Sequence, residues 1–148
     1  MRWSPFVTVA AVIRRGDRYL MVEERPDGRA VVNQPAGHLE FNETLQQAIR
    51  REVLEETGHP FTPDGLVGVY QWTLPETSRS YLRFCFSGSV GDPSPGYRID
   101  SDISAVHWLT REQIAAGALP VRSPMVLRCI DDAAVSRPVP LELLHAIG

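Results

Sequence analysis

Gly37-His38-Leu39-Glu40-Phe41-Asn42-Glu43-Thr44-Leu45-Gln46-Gln47-Ala48-Ile49-Arg50-Arg51-Glu52-Val53-Leu54-Glu55-Glu56-Thr57-Gly58 is the stretch on which the reading of this chain turns. It sets a loop carboxylate and a cluster of glutamates into a segment that also reads as an amphipathic helix. At about 100° per residue, Glu52, Glu55 and Glu56 fall within an arc of roughly 100°, and Leu45, Ala48, Ile49 and Val53 are expected as an apolar stripe on the opposite side. Like charges one turn apart each cost a few tenths of a kcal/mol in an isolated helix, so the cluster calls for cations. Arg51, one turn before Glu55, is one. A hard divalent ion is the other, because Mg²⁺ takes oxygen ligands, keeps several waters and is commonly shared between carboxylates and substrate phosphates. Gly58 is placed to end the helix in a left-handed conformation.

The same residues resemble the Nudix box. Gly37, Glu43, then Arg51-Glu52-Val53, Glu55-Glu56 and Gly58 are eight fixed positions spread over 22 residues. His59 departs from the aliphatic residue usual there and is expected to weaken packing at the helix end. The resemblance implies an α/β (α+β) fold, a Nudix-type α/β/α sandwich with a mixed sheet. It also implies hydrolysis of a phosphoanhydride with Mg²⁺ as cofactor, for which Mn²⁺ can substitute. By the same resemblance Glu52 and Glu56 are direct metal ligands, Glu55 binds directly or through water, and the Gly37 carbonyl completes the shell. Arg51 orients the glutamates, while Glu43 either supports the site or binds an additional ion. Such an ion meets both needs of diphosphate hydrolysis, neutralising charge on phosphate oxygens and making water nucleophilic near neutral pH. For the general base the candidates are Glu52 first and Asp102 second. Asp102 lies in Asp100-Ser101-Asp102-Ile103, where many family members carry an acidic residue. An EF-hand reading of that segment fails, because Ala105 and Arg111 stand where the loop requires glycine and glutamate.

The 148 residues fit one domain, 1–148, with a single core. A net charge of −3 argues against nonspecific binding to nucleic acid. All 15 basic residues are arginine, so any side-chain cation that grips phosphate must be a guanidinium, whose planar fork suits bidentate contact. Cys85 and Cys129 stand far apart in apolar surroundings and read as buried, reduced thiols. Arg2 and the run Phe6 to Ile13 superficially resemble an export signal, but Thr8 interrupts the run and Arg14-Arg15 replaces a cleavage site. No longer apolar segment exists, and the expectation is a cytoplasmic protein, monomer or homodimer, acting on a small phosphorylated molecule without membrane contact.

Working outward, Phe6 to Ile13 and Tyr19 to Glu23 read as a hairpin about Gly16-Asp17, and Val31 to Pro35 leads into the box. Asn42 is suited to capping the helix or to a left-handed turn, and Glu43 to its first turn. Leu66 to Trp72 and Tyr81 to Ser87 are expected as antiparallel strands, followed by the irregular Gly91 to Gly96 and a strand from Ile103 to Leu109. Thr110 with Gln113 forms a capping box, and Ser123-Pro124 supplies a cap and first-turn proline for a helix from Met125 to Ile130.

Asn33-Gln34-Pro35-Ala36, Gln71-Trp72, Leu82-Arg83-Phe84, Arg122-Ser123-Pro124 and Pro140-Leu141-Glu142 further resemble a narrower group, the NudJ-type phosphatases. That implies substrates among nucleoside tri- and diphosphates and thiamine-type diphosphates. Val32 stands where tryptophan is expected in that group. Trp72, Tyr70 and Phe84 are candidate stacking surfaces for a ring. Arg83 and Arg25 are candidate phosphate clamps, and His38 adjoins the metal-binding glycine. Two alternatives stay open: a pyrophosphatase for nucleoside diphosphates joined to another group, such as ADP-ribose, and a nucleotide-binding protein without turnover.

Overall fold

The N-terminal run Phe6-Val-Thr-Val-Ala-Ala-Val-Ile is rich in β-branched residues and builds β1 (Phe6–Arg15) of a computed structural model that describes residues 2–148. Gly16, at φ 63°, turns the chain into β2 (Arg18–Glu24), a left-handed position that glycine occupies without steric cost. The two strands pair antiparallel only at their turn end, Arg14 with Tyr19 and Arg15 with Arg18. Beyond it they part. Each then takes a different neighbour, β1 pairing with β4 (Ala36–His38) and β2 with β3 (Val31–Asn33) and β7 (Ile103–Thr110). The long strands β5 (Phe61–Thr73) and β6 (Ser80–Val90) complete a seven-stranded mixed sheet, with β6 parallel to β1 and antiparallel to β5.

Alternation along β1 divides the core into two layers. Val9, Ala11 and Ile13 meet Ala48, Ile49 and Val53 of α1 (Leu45–Thr57), together with Leu20, Leu66 and Phe86. Ala10 and Val12 meet Val126, Cys129 and Ile130 of α3 (Met125–Val135), with Met21, Val32, Cys85 and Ile114 of the short α2 (Arg111–Ala116). Each fully buried Val, Ile or Phe contributes about 1.5–3 kcal/mol against exposure. The two helices therefore anchor firmly on opposite sides of the sheet, as expected.

Three local expectations are corrected. The buried side of α1 comprises Ala48, Ile49, Val53, Glu56 and Thr57, so Glu56 continues the apolar stripe instead of facing away from it. Since Val53 and Glu56 are separated by about 300°, they adjoin on the helix surface. Thr44 is the N-cap, in a capping box with Gln47, while Asn42 takes the left-handed turn at φ 62° and Glu43 lies just before the helix. At α3 the expected cap forms, Ser123 Oγ accepting from Met125 N at 3.2 Å with Pro124 in helical conformation between them. His59 strengthens the helix end: it is buried, its Nδ1 bonds the Gly91 carbonyl at 2.7 Å, and its ring meets Trp108 edge-on. Gly58 ends α1 at φ 75°, its N–H on the Leu54 carbonyl. The capping box at Thr110 and Gln113 forms as expected.

Candidate active site

Between the splayed strands and α1 lies a cleft of about 960 Å³. Its lining includes Gly37, Glu52, Glu55, Glu56, Asp102 and Arg83. Arg51 is its organising cation. It bonds Glu43 through Nε at 2.6 Å and Nη2 at 3.0 Å, Glu52 through Nη1 at 2.7 Å, Glu55 through Nη1 at 3.3 Å, and the His38 carbonyl through Nη2 at 3.0 Å. Glu40 adds a looser ion pair at 3.4 Å. The expected pairing with Glu55 exists, but Glu43 and Glu52 hold Arg51 more closely. Hydrogen bonding from Arg51 keeps the Glu43 carboxyl below its ordinary range, and the same bonds push the guanidinium further up.

Glu52 and Glu56 behave differently from Glu43. Burial raises the Glu52 carboxyl despite Arg51. Glu56, 8% exposed, is pushed up to about 9, first by burial and then by the charges of Glu52, Glu24 and Asp100, against one stabilising bond from Ala36 N at 2.9 Å. Its environment is that of a carboxylate lacking a cation. Among the described residues no group of three or more His, Cys, Asp and Glu side chains is placed to hold a metal ion. A hard, water-retaining divalent ion needs only one or two carboxylates, and the all-oxygen donor set with an uncompensated buried Glu56 fits one. Glu52 and Glu56 with the Gly37 carbonyl would hold it, with Glu55 reaching it through water.

Gly37 has a steric role as well. A Cβ there would lie 2.1 Å from the Glu52 carboxyl carbon. Gly37→Ala should therefore displace the Glu52 carboxylate and leave the strand intact. The expected result is a loss of turnover on the order of 10²-fold, the scale of a misplaced reacting group, with a thermal midpoint near wild type. Steady-state kinetics and a melting curve check both halves.

Asp102 is delivered by the loop before β7. The Glu55 carbonyl accepts from Asp100 N at 2.7 Å, and Asp100 Oδ1 accepts from Asp102 N at 3.1 Å, so the loop is moored to α1 and Asp102 lines the cleft. Arg25 also lines it, 57% exposed in its side chain and 3.7 Å from Glu23. Trp72 lines the cleft beside Tyr81, the two rings stacked at 6.0 Å. Tyr70 is drawn away, its hydroxyl donating to Asp132 at 2.8 Å, and Phe84 packs against the α1 layer, so neither joins Trp72 on the cleft wall. The His38 ring meets Phe6 edge-on at 5.6 Å. Cys85 and Cys129 are buried and free, as expected.

Arg83 is only 4% exposed. Nη1 donates to Gln34 Oε1 at 2.9 Å and Nη2 to Asn33 Oδ1 at 3.4 Å, while Nε, buried, has no acceptor among the described residues. Sequence reasoning gave Asn33 and Gln34 no role; two amides directly after the apolar Val31-Val32 were the available signal. It also missed the ion pair between Arg122 and Glu24, both on the cleft wall, which joins residues far apart in the chain.

A mixed sheet between two helical layers, with this glutamate helix beside a glycine strand, defines a Nudix-type hydrolase fold. Residues 4–129 match the NUDIX domain, and the chain belongs to that family. It is 39% identical over 142 residues to the phosphatase NudJ of Escherichia coli K12, covering 96% of this chain and 92% of that protein. A NUDIX hydrolase from Nitrosomonas europaea superposes with a TM-score of 0.93 at 46% identity, covering 97% of this chain and 98% of that one. The NUDIX domain of Shewanella oneidensis NrtR, crystallised with ADP ribose, shares the fold with a TM-score of 0.71 at 16% identity, covering 90% of this chain and 88% of that one. The chain is thus a Nudix hydrolase, of a family that generally uses divalent metal ions and acts on small phosphorylated substrates. Among the described residues no helix is long and apolar enough to cross a membrane.

Proposed function

We propose that this protein is a Mg²⁺-dependent phosphohydrolase that releases orthophosphate from nucleoside tri- and diphosphates, and from thiamine-type diphosphates, by attack of water on phosphorus. The observation that carries this reading is Glu56: a buried carboxylate, short of a cation, facing a cleft with Glu52 and Glu55. The likeness to the NudJ phosphatase supports the substrate class. A bound divalent ion would supply charge neutralisation on the phosphate oxygens and a more acidic water. Arg51 fixes the glutamates around it. Arg25, Arg83 and Trp72 bind substrate. Phe6 to Ile13 forms a core strand, which supports reading the chain as one folded domain.

Glu52 is the leading general base, since burial raises its proton affinity, and Asp102 is the second. Asp102→Asn should leave the Mg²⁺ titration midpoint unchanged and lower kcat less than about threefold if Glu52 takes the proton. A loss above about 10²-fold at an unchanged midpoint transfers the role to Asp102.

The volume of the cleft also admits a pyrophosphatase reading with a larger substrate such as ADP-ribose. Phosphate release measured with and without added inorganic pyrophosphatase across nucleotides and thiamine diphosphate, with chromatography of ADP-ribose reactions, separates the readings; AMP and ribose 5-phosphate from ADP-ribose support the pyrophosphatase reading. Orthophosphate without the auxiliary enzyme supports the proposal, and signal only in its presence supports pyrophosphate release. Silence across the panel with metal supports binding without turnover.

A further inference from the structure

We propose that Arg122, anchored by Glu24, grips the phosphate chain of the substrate from the wall of the cleft built by β2 and β3, so that the chain is held between a guanidinium and the metal-binding glutamates. This inference rests on the nucleotide reading above and names a phosphate contact that reading leaves open.

The arginines that line the cleft differ in what they have left to offer. Arg51 commits Nε, Nη1 and Nη2 to carboxylates. Arg83, 4% exposed, spends its terminal nitrogens on two amides. Arg25 and Arg79 stand on exposed loops outside the strands. Arg122 is both fixed and open. Its backbone is stapled to β3, Arg122 N donating to the Val32 carbonyl at 2.8 Å and Val32 N to the Pro120 carbonyl at 2.9 Å. Nη1 donates to Glu24 Oε2, while Nε and Nη2 have no acceptor among the described residues and the side chain is 42% exposed.

Glu24 is placed to serve as the anchor. It lies on β2 between Val31 of β3 and Ile103 of β7, lines the same cleft, and is close enough to Glu56 for its charge to act on that carboxyl. Arg122 therefore stands beside the metal-binding group. Val32, which holds its backbone, and Ala36, whose N–H holds Glu56, are four residues apart, at most about 14 Å of chain. The bond to Glu24 restricts the long side chain before any ligand arrives, so less freedom is lost on binding. The nitrogens left over form a planar edge that matches two phosphate oxygens. Arg122 also screens Glu24, whose bare charge would repel a polyphosphate.

Calorimetric titration of the Mg²⁺-loaded protein with the β,γ-imido analogues of ATP and UTP, in which a bridging nitrogen resists hydrolysis of the terminal bond, tests the contact without turnover. Arg122→Gln should weaken both analogues by about tenfold or more and by the same factor, since the contact is charge-assisted and no ring takes part in it. Its melting temperature should stay close to wild type, because an exposed ion pair adds little stability. Arg122→Lys keeps the charge without the fork and should recover part of the loss. Glu24→Gln should weaken both analogues less than Arg122→Gln does, and the double variant should bind no worse than Arg122→Gln alone, because Glu24 acts through Arg122. Affinity of Arg122→Gln within about twofold of wild type overturns the proposal, as does a loss confined to one analogue. Losses that add in the double variant overturn the anchoring by Glu24. Tight binding of the analogues without hydrolysis of ATP or UTP strikes the function reading and leaves the Arg122 contact standing.

Discussion

Glu56→Gln should lower kcat by about 10²-fold or more, the scale of losing one electrostatic contributor in a preorganised site. Glutamine keeps the shape and can still accept from Ala36 N, so the loss reports the charge. The same substitution should leave the metal-free protein at least as stable as wild type, because near neutral pH the buried Glu56 carboxyl, raised to about 9, must take up a proton on folding, a cost the amide does not have. Metal should then raise the melting temperature of wild type more than that of the variant, since only the native carboxylate binds it strongly. Activity within threefold of wild type removes Glu56 from the site; a large fall in metal-free stability makes it a structural residue instead.

Arg51→Met should have the second largest effect, and on both stability and activity. Arg51 bonds three carboxylates and the His38 carbonyl, so its removal leaves Glu43 and Glu52 facing each other without a cation. Charged hydrogen bonds of this kind are worth about 1.5–3 kcal/mol each, but the side chain is one-fifth exposed and the glutamates relax towards water, so a net loss of about 2 kcal/mol is expected. Denaturant melts measure it. The loss should shrink when Mg²⁺ is added, because a divalent ion restores part of the missing positive charge. A loss unaffected by Mg²⁺ would separate Arg51 from the metal-binding carboxylates.

The helix and the clustering of its glutamates on the cleft were legible because both are local. Glycine and glutamates at fixed spacing place donor oxygens within one helix and one adjoining strand, and the hairpin, the antiparallel pair β5 and β6 and the capping box at Thr110 all follow from nearby residues. The error over the apolar stripe had a physical source. Ile49 and Val53 run directly into Glu56 on the same side of α1, so burial and charge share one surface, which is what raises the Glu56 carboxyl. Long-range relations were not legible. Nothing around Leu82-Arg83-Phe84 announces that the guanidinium will be buried between two amides from β3 and the segment after it, or that Tyr70 will be taken by Asp132 on α3. His59 read as a defect because its acceptor, the Gly91 carbonyl, lies beyond a complete strand hairpin.

The divalent-ion mechanism is tested most directly by ³¹P NMR of a nucleoside triphosphate mixed with the protein, first in excess EDTA and then after excess Mg²⁺ is added. No hydrolysis should occur in chelator. After Mg²⁺, orthophosphate and the nucleoside diphosphate should appear together as the first products, the diphosphate accumulating before it is consumed in turn. Pyrophosphate and nucleoside monophosphate from the first time points would contradict the assigned bond, and undiminished hydrolysis in excess chelator would contradict the central claim that the glutamates of α1 act by holding a divalent ion.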